Sequence, residues 1–148
     1  MKSTREIIFE CFKRYRMVTT DTRNLSENAI YFALKGQNFN GNDFQEEALQ
    51  KGCALVVVDD KRIDNERIVL VGDVLNALQD LALDYRKTWN FPVIALTGSN
   101  GKTTTKELMR DVLATTYKVH ATKGNLNNHI GIPLTILSAP EDTEIAVI

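Results

Sequence analysis

The chain has 148 residues, 43% of them hydrophobic and 25% charged, with 18 Lys plus Arg against 19 Asp plus Glu and a formal net charge of -1. That composition is globular and excludes a disordered tail. The absence of a basic excess argues against a general nucleic-acid binder, so any phosphate binding must be local to a loop. Two cysteines, Cys11 and Cys53, sit in no CxxC pair and read as reduced structural thiols. The N-terminus carries no long apolar run, and no stretch approaches the roughly 20 apolar residues that span a bilayer. A soluble, cytoplasmic protein with no membrane insertion and no nucleic-acid partner is expected.

In chain order, Ser3 with Glu6 three residues on makes a capping box, and Ile7, Ile8, Cys11 and Phe12 follow at helical spacing to about Arg14. Ile30–Leu34 is β-prone, flanked by Asn, Asp and Gly that read as loops. A helix is expected over Phe44–Lys51, stopped by Gly52, then strands at Ala54–Val58 and Ile68–Val71. Asp59-Asp60-Lys61 reads as a solvated turn. Leu75, Leu78, Ala82, Tyr85 and Trp89 recur every three to four residues, giving a long amphipathic helix over Asp73–Trp89 that Asn90-Phe-Pro92 breaks. A domain boundary is placed near Asn90, dividing 1–90 from 91–148.

Beyond it, Val93–Leu96 is a β-run, Thr103–Thr115 is helical with Leu108, Met109, Val112 and Leu113 on one face, and Lys118–Ala121 is a strand. Thr122–Gly131 is a polar loop, Pro133–Leu137 a helical turn, and Ile145–Ile148 a further strand. Three strands and two helices make a small layer, and a parallel sheet wants both faces covered, so exposed apolar surface is expected.

Between the β-run and the helix lies TGSNGKTTTKE. Small residues let backbone N–H groups point into such a turn, and the helix N-terminus adds partial positive charge. Lys102 supplies a cation for β- and γ-phosphates, and a hydroxyl of Thr103 or Thr104 can ligate Mg²⁺. Only Ser99 and Asn100 separate Gly98 from Gly101, so this is not the usual four-residue spacing of a Walker A loop.

The loop resembles that of the Mur ligases, ATP-dependent amide-forming enzymes of peptidoglycan synthesis, and is similar to that of folylpolyglutamate synthase. GNLNNHIGIPLTIL, Gly124–Leu137, resembles the branch of the family that adds D-alanyl-D-alanine to UDP-N-acetylmuramoyl-tripeptide, and DTRNLSENAIYFALKGQNFNGNDF, Asp21–Phe44, resembles that branch's N-terminal region. Thr22, Asn40 and Asn42 replace the pattern's common Ser, Asp and His.

The resemblance implies an α/β fold: a small substrate-binding domain, then the beginning of a P-loop ATPase domain with a parallel sheet. It implies ATP and Mg²⁺, carboxylate activation as an acyl phosphate, and attack by the amine of D-alanyl-D-alanine. Lys102 becomes the catalytic cation and Thr103 the Mg²⁺ ligand, with Gly98, Ser99, Asn100, Gly101 and Thr104 lining the phosphate cradle. Thr22, Arg23, Ala33, Leu34, Lys35, Gly36, Asn40 and Gly41 would contact the UDP end of the substrate. Asn125, Asn127 and Asn128 would face the muropeptide, or else bond their own loop. His120 and His129 read as structural or solvated. Family members are longer, three-domain enzymes, so the chain is expected to be an N-terminal portion, inactive alone. Another Mur ligase, a folylpolyglutamate synthase-like enzyme and a non-catalytic UDP-sugar-binding module are the competing readings.

Overall fold

The computed structural model describes residues 2–148, which form two compact units, 2–84 and Tyr85–Ile148. The first unit opens with helix α1 (Thr4–Tyr15), whose start is the expected capping box: the Ser3 hydroxyl accepts from Glu6 N–H, and the Glu6 carboxylate accepts from Ser3 N–H. Strands β1 (Val18–Thr19), β2 (Ile30–Phe32), β5 (Leu55–Val58) and β6 (Ile68–Leu70) form a parallel sheet in that order. Between β2 and β5 lie a short antiparallel hairpin, β3 (Lys35–Gly36) with β4 (Phe39–Asn40), a 3₁₀ turn Gly41–Phe44, and α2 (Gln45–Gln50). Helix α2 ends as expected at Gly52, where Cys53 N–H reaches Ala48 O and Gly52 N–H reaches Leu49 O.

Tyr31, Val56, Val58 and Ile68 pack in one buried cluster with Ala48 and Cys53. The alternate residues Ile30, Phe32 and Val57 are fully buried as well, so the sheet is covered on both faces, as parallel sheets require. Helix α3 (Val74–Lys87) buries Val74, Leu78, Leu81 and Ala82, while Leu75 stays half-buried. Arg5 of α1 pairs with Asp80 and Asp84 of α3. Both cysteines are free thiols, Cys53 buried and Cys11 half-buried; burial pushes Cys53 up and Cys11 up to about 11.

The sequence places the boundary near Asn90; the compact units divide within α3. The reason lies in its last turn. Tyr85 donates its hydroxyl to Ala139 O, and the Tyr85, Trp89 and Phe91 rings pack together. The second unit is a three-stranded parallel sheet in the order β7 (Val93–Ile94), β9 (Ile145–Val147), β8 (Val119–Ala121), with α4 (Lys102–Leu113) and α5 (Gly131–Leu137). The apolar face of α4 is uncovered: Leu108 is 62% and Val112 69% exposed, and with Ile94, Met109 and Leu113 they line a shallow apolar cavity. Among the described residues, no helix is long and apolar enough to cross a membrane.

Gly41 carries a steric constraint. A Cβ there would stand 2.6 Å from the Ala33 carbonyl carbon, while Gly41 N–H donates to Leu34 O and Gly41 O accepts from the buried Tyr31 hydroxyl. Gly41→Ala is expected to destabilise the first unit by roughly 1–3 kcal/mol through overpacking against backbone, read as a lowered urea midpoint.

Candidate nucleotide and substrate sites

In each unit the parallel pairing sends every strand out at the same edge, so the loops that follow the strands meet there. In the second unit β7 runs directly into the glycine turn. Gly98 and Gly101 have φ of +149° and +78°, backbone that side chains rarely adopt, and Gly101 is the cap residue of α4. Helix α4 begins with no side-chain cap bond, unlike α1. Its first-turn N–H groups are therefore available to an anion in front of them.

A cavity of about 340 Å³ opens beside this turn, lined by Gly98, Lys102 and Thr103 on one side and Thr122, Asn125 and Asn127 on the other, with the Lys106 side chain also in its wall. No aspartate or glutamate belongs to that lining. The Lys102 ammonium donates back to the Gly98 carbonyl. Ser99, Asn100, Gly101 and Thr104 are exposed on the turn and the first turn of α4. Thr103 is the threonine of the run that faces the cavity. Asn128 turns the other way: its Oδ1 accepts from Ile130 N–H at 3.1 Å and Gly131 N–H at 2.7 Å, bonding its own loop. His120 is buried with Nε2 2.7 Å from Thr135 O, and burial lowers its pKa, a structural setting. His129 is exposed.

Lys106 and Thr122 are passed over by the sequence reading. Lys106 is 5% exposed with Nζ 2.6 Å from Gly124 O. Its spacing of four from Lys102, on the same helical face, was the available signal. Thr122 is buried, and its hydroxyl has no hydrogen-bond partner.

The first unit gathers its candidates at the carboxyl-end edge of its sheet. Thr22 and Arg23 sit in a 3₁₀ turn (Thr22–Asn24) after β1, capped by Asp21. Arg23 forks onto Asp21 at 2.9 and 2.8 Å with its side chain 87% exposed. Ala33 is completely buried, which leaves only its backbone for a ligand, and Gly41 is buried too. Leu34 is half-buried, Lys35 and Gly36 are exposed on β3, and Asn40 lies on β4. Asn40 Oδ1 accepts from Asn42 N–H at 3.1 Å and Asn42 Nδ2 at 2.9 Å, and that Nδ2 reaches Asp59 at 2.8 Å.

Asp59 corrects one expectation. It is not part of a solvated turn: its side chain is 21% exposed and pairs with Lys35 Nζ at 2.8 Å. The end of β5 brings it beside the β3 lysine, a pairing between residues 24 positions apart that local sequence cannot reveal. The Lys35 hydrogen bond holds the Asp59 carboxyl below its ordinary range, with a smaller contribution from Asn42 and opposition from burial.

Residues 14–86 match the profile described as the Mur ligase family, catalytic domain, and residues 96–148 match the Mur ligase middle domain. The chain belongs to the Mur ligase family. It is 49% identical over 134 residues to the UDP-N-acetylmuramoyl-tripeptide--D-alanyl-D-alanine ligase of Bacillus subtilis, covering 88% of this chain and 29% of that relative. The similarly named Escherichia coli ligase is 40% identical over 132 residues, again covering 88% and 29%. Among solved structures, the MurF ligase of Thermotoga maritima in complex with ADP superposes with a TM-score of 0.83 at 33% identity, covering 99% of this chain and 32% of that one. MurF from Acinetobacter baumannii gives 0.82 at 34% identity over 90% of this chain and 30% of that one. This Mur ligase chain thus spans about three-tenths of the length of the curated relatives it matches.

The Lys35–Asp59 pair sets a pH dependence with a definite sign. Asp59 has a depressed pKa when folded, so its contribution is present above the unfolded value of about 3.9 and is lost as pH falls through the folded value. Lys35→Met is expected to lower the urea midpoint at neutral pH, and the gap from wild type is expected to close as pH drops below about 4.

Proposed function

We propose that this chain is the substrate-recognition and phosphate-loop portion of a ligase that joins D-alanyl-D-alanine to UDP-N-acetylmuramoyl-tripeptide, with ATP and Mg²⁺. The observation that carries the reading is an uncapped helix N-terminus behind a glycine turn, facing a cavity that has Lys102 and no aspartate or glutamate in its wall. Relatives bearing that ligase name support it, because their similarity spans 88% of the chain.

The residues present fit a nucleotide's phosphates. Backbone N–H groups of the turn and of the first turn of α4 donate to phosphate oxygens, and Gly98 and Gly101 keep side chains out of the approach. Ser99, Asn100 and Thr104 line the exposed side of the cradle. Lys102 exchanges the Gly98 carbonyl for the β/γ-phosphates, gaining a charged acceptor in place of a neutral one. Thr103 would hold Mg²⁺ through its hydroxyl, and the ion would supply charge neutralisation on the phosphates.

The chemistry balances in two steps. The substrate carboxylate takes the γ-phosphoryl group and ADP leaves; the amine of D-alanyl-D-alanine then attacks the acyl phosphate, loses a proton and expels phosphate. Asn125 and Asn127 face the cavity where the carboxylate end would lie. In the first unit, Arg23 and Lys35 recognise the diphosphate of the UDP moiety, with Thr22, Asn40 and the backbone of Ala33, Leu34, Gly36 and Gly41 around it. Arg23 already grips a carboxylate, Asp21, in solvent, and exchanging one exposed anion for another costs little.

Calorimetric titration of the chain with UDP-N-acetylmuramoyl-tripeptide tests the reading, with UDP-N-acetylglucosamine and ATP as comparison ligands. Selective tripeptide binding is expected; a folded chain that binds none of them overturns it. Lys102→Ala is expected to weaken ADP binding by about 10–100-fold, the loss of one charged hydrogen bond of roughly 1.5–3 kcal/mol, with tripeptide affinity retained.

A further inference from the structure

Residues 122–130 connect β8 to α5, and the two ends of this loop are fixed by different means. At the start, Thr122 N–H continues the sheet by donating to Val147 O at 3.1 Å. At the end, Asn128 bonds Ile130 and Gly131, and Gly131 packs so closely on Leu126 that a Cβ would meet its backbone at 2.7 Å. The middle is polar and exposed from Lys123 to His129, yet it carries Asn125 and Asn127 into the cavity wall. Internal turns there, such as Asn127 N–H to Asn125 O at 2.7 Å, shape the loop from within. The attachment comes from across the cavity: Lys106 Nζ reaches Gly124 O at 2.6 Å, 18 residues away in sequence.

Lys106 is an unusual choice for a mere surface tether. Its residue is 5% exposed, and its carboxylate neighbour is Glu107, 3.3 Å away and itself 35% exposed. Burying an ammonium is costly unless its donors are used. It also stands one turn beyond Lys102 on α4, the helix whose first residues border the glycine turn. Two like charges four apart on one helix face repel.

We infer that Lys106 is a positioning residue: its buried ammonium clamps the Gly124 carbonyl to α4, and so sets Asn125 and Asn127 at a fixed height above the phosphate turn carried by the same helix. A displacement of α4 when the turn takes an anion is passed to the asparagines through this bond. Lys106 touches the loop and not the phosphates, whose cation is Lys102. This role presupposes, for its second half, that the turn takes a nucleotide phosphate as proposed above.

Lys106→Met keeps most of the length of the side chain and removes the donor. The expected result, by amide hydrogen exchange of the full 148-residue chain, is a rise of about tenfold or more at Gly124–Asn127 with the strands unchanged. The ADP dissociation constant stays within about threefold of wild type. ADP shifts the Asn125 and Asn127 side-chain amide resonances of wild type, and in the variant those shifts vanish although Gly98 and Gly101 still respond. Should Lys106→Met fail to fold, Lys106→Gln keeps a polar group in the buried position but ends one bond short of the ammonium, out of reach of Gly124 O, and is read in the same way. Unchanged exchange in the loop overturns the clamp. So does exchange that rises throughout the second unit, which makes Lys106 a general packing residue, or ADP binding weakened more than about tenfold with a quiet loop, which makes it a phosphate ligand. If ADP leaves Gly98 and Gly101 of wild type untouched, the nucleotide reading fails, and loop exchange alone still decides whether Lys106 is the clamp.

Discussion

Parallel strand pairing is the constraint from which the rest follows. Every pair in both main sheets is parallel, so each strand must be reached by a crossover and each leaves at the same edge. Sheets of this kind gather their functional loops at the carboxyl ends of the strands. That places the 3₁₀ turn after β1, the hairpin after β2 and Asp59 after β5 along one edge. In the second unit it places the glycine turn after β7 and the asparagine loop after β8 together, with no catalytic residue needing to sit inside the sheet.

The candidate anion sites of the two units are built in opposite ways. In the first, each candidate cation already has a carboxylate: Arg23 holds Asp21 and Lys35 holds Asp59. These partners keep the side chains ordered, and an incoming anion must compete with them. In the second, the donors are backbone groups at an uncapped helix start, which carry no net charge and need no counter-ion. Lys102 rests on a neutral carbonyl, a weaker acceptor than a phosphate oxygen. The first arrangement favours discrimination between anions over strength. The second favours a highly charged ligand.

Much of this was legible in the sequence where the signal is local. The Ser3–Glu6 capping box, the Gly52 stop, the α3 periodicity and the glycine turn all depend on residues within a turn or two of each other, and the structure has them. The short strands β3 and β4 were hidden in a stretch rich in Asn and Gly that reads as loop, because a two-residue hairpin has no periodicity to display. The division within α3 depends on Tyr85 reaching Ala139, 54 residues on, and no local pattern encodes it. Lys106 and Asp59 were missed for a related reason: both look like ordinary surface charges until the fold supplies Gly124 and Lys35. Leu108 and Val112 were correctly grouped on one face, yet periodicity tells which residues share a face and not whether anything covers it.

The chain's single tryptophan has an optical consequence. Trp89 belongs to the second unit, 8% exposed, with its ring 4.7 Å from Phe91 and edge-on to Tyr85. Its fluorescence therefore follows the melting of that unit, whereas far-ultraviolet dichroism sums over both. With α3 shared between the units, coincident curves from the two probes indicate that the units melt cooperatively, and separated curves give each its own midpoint. One indole at the end of a shared helix is thus a built-in gauge of how strongly two halves of a chain depend on each other.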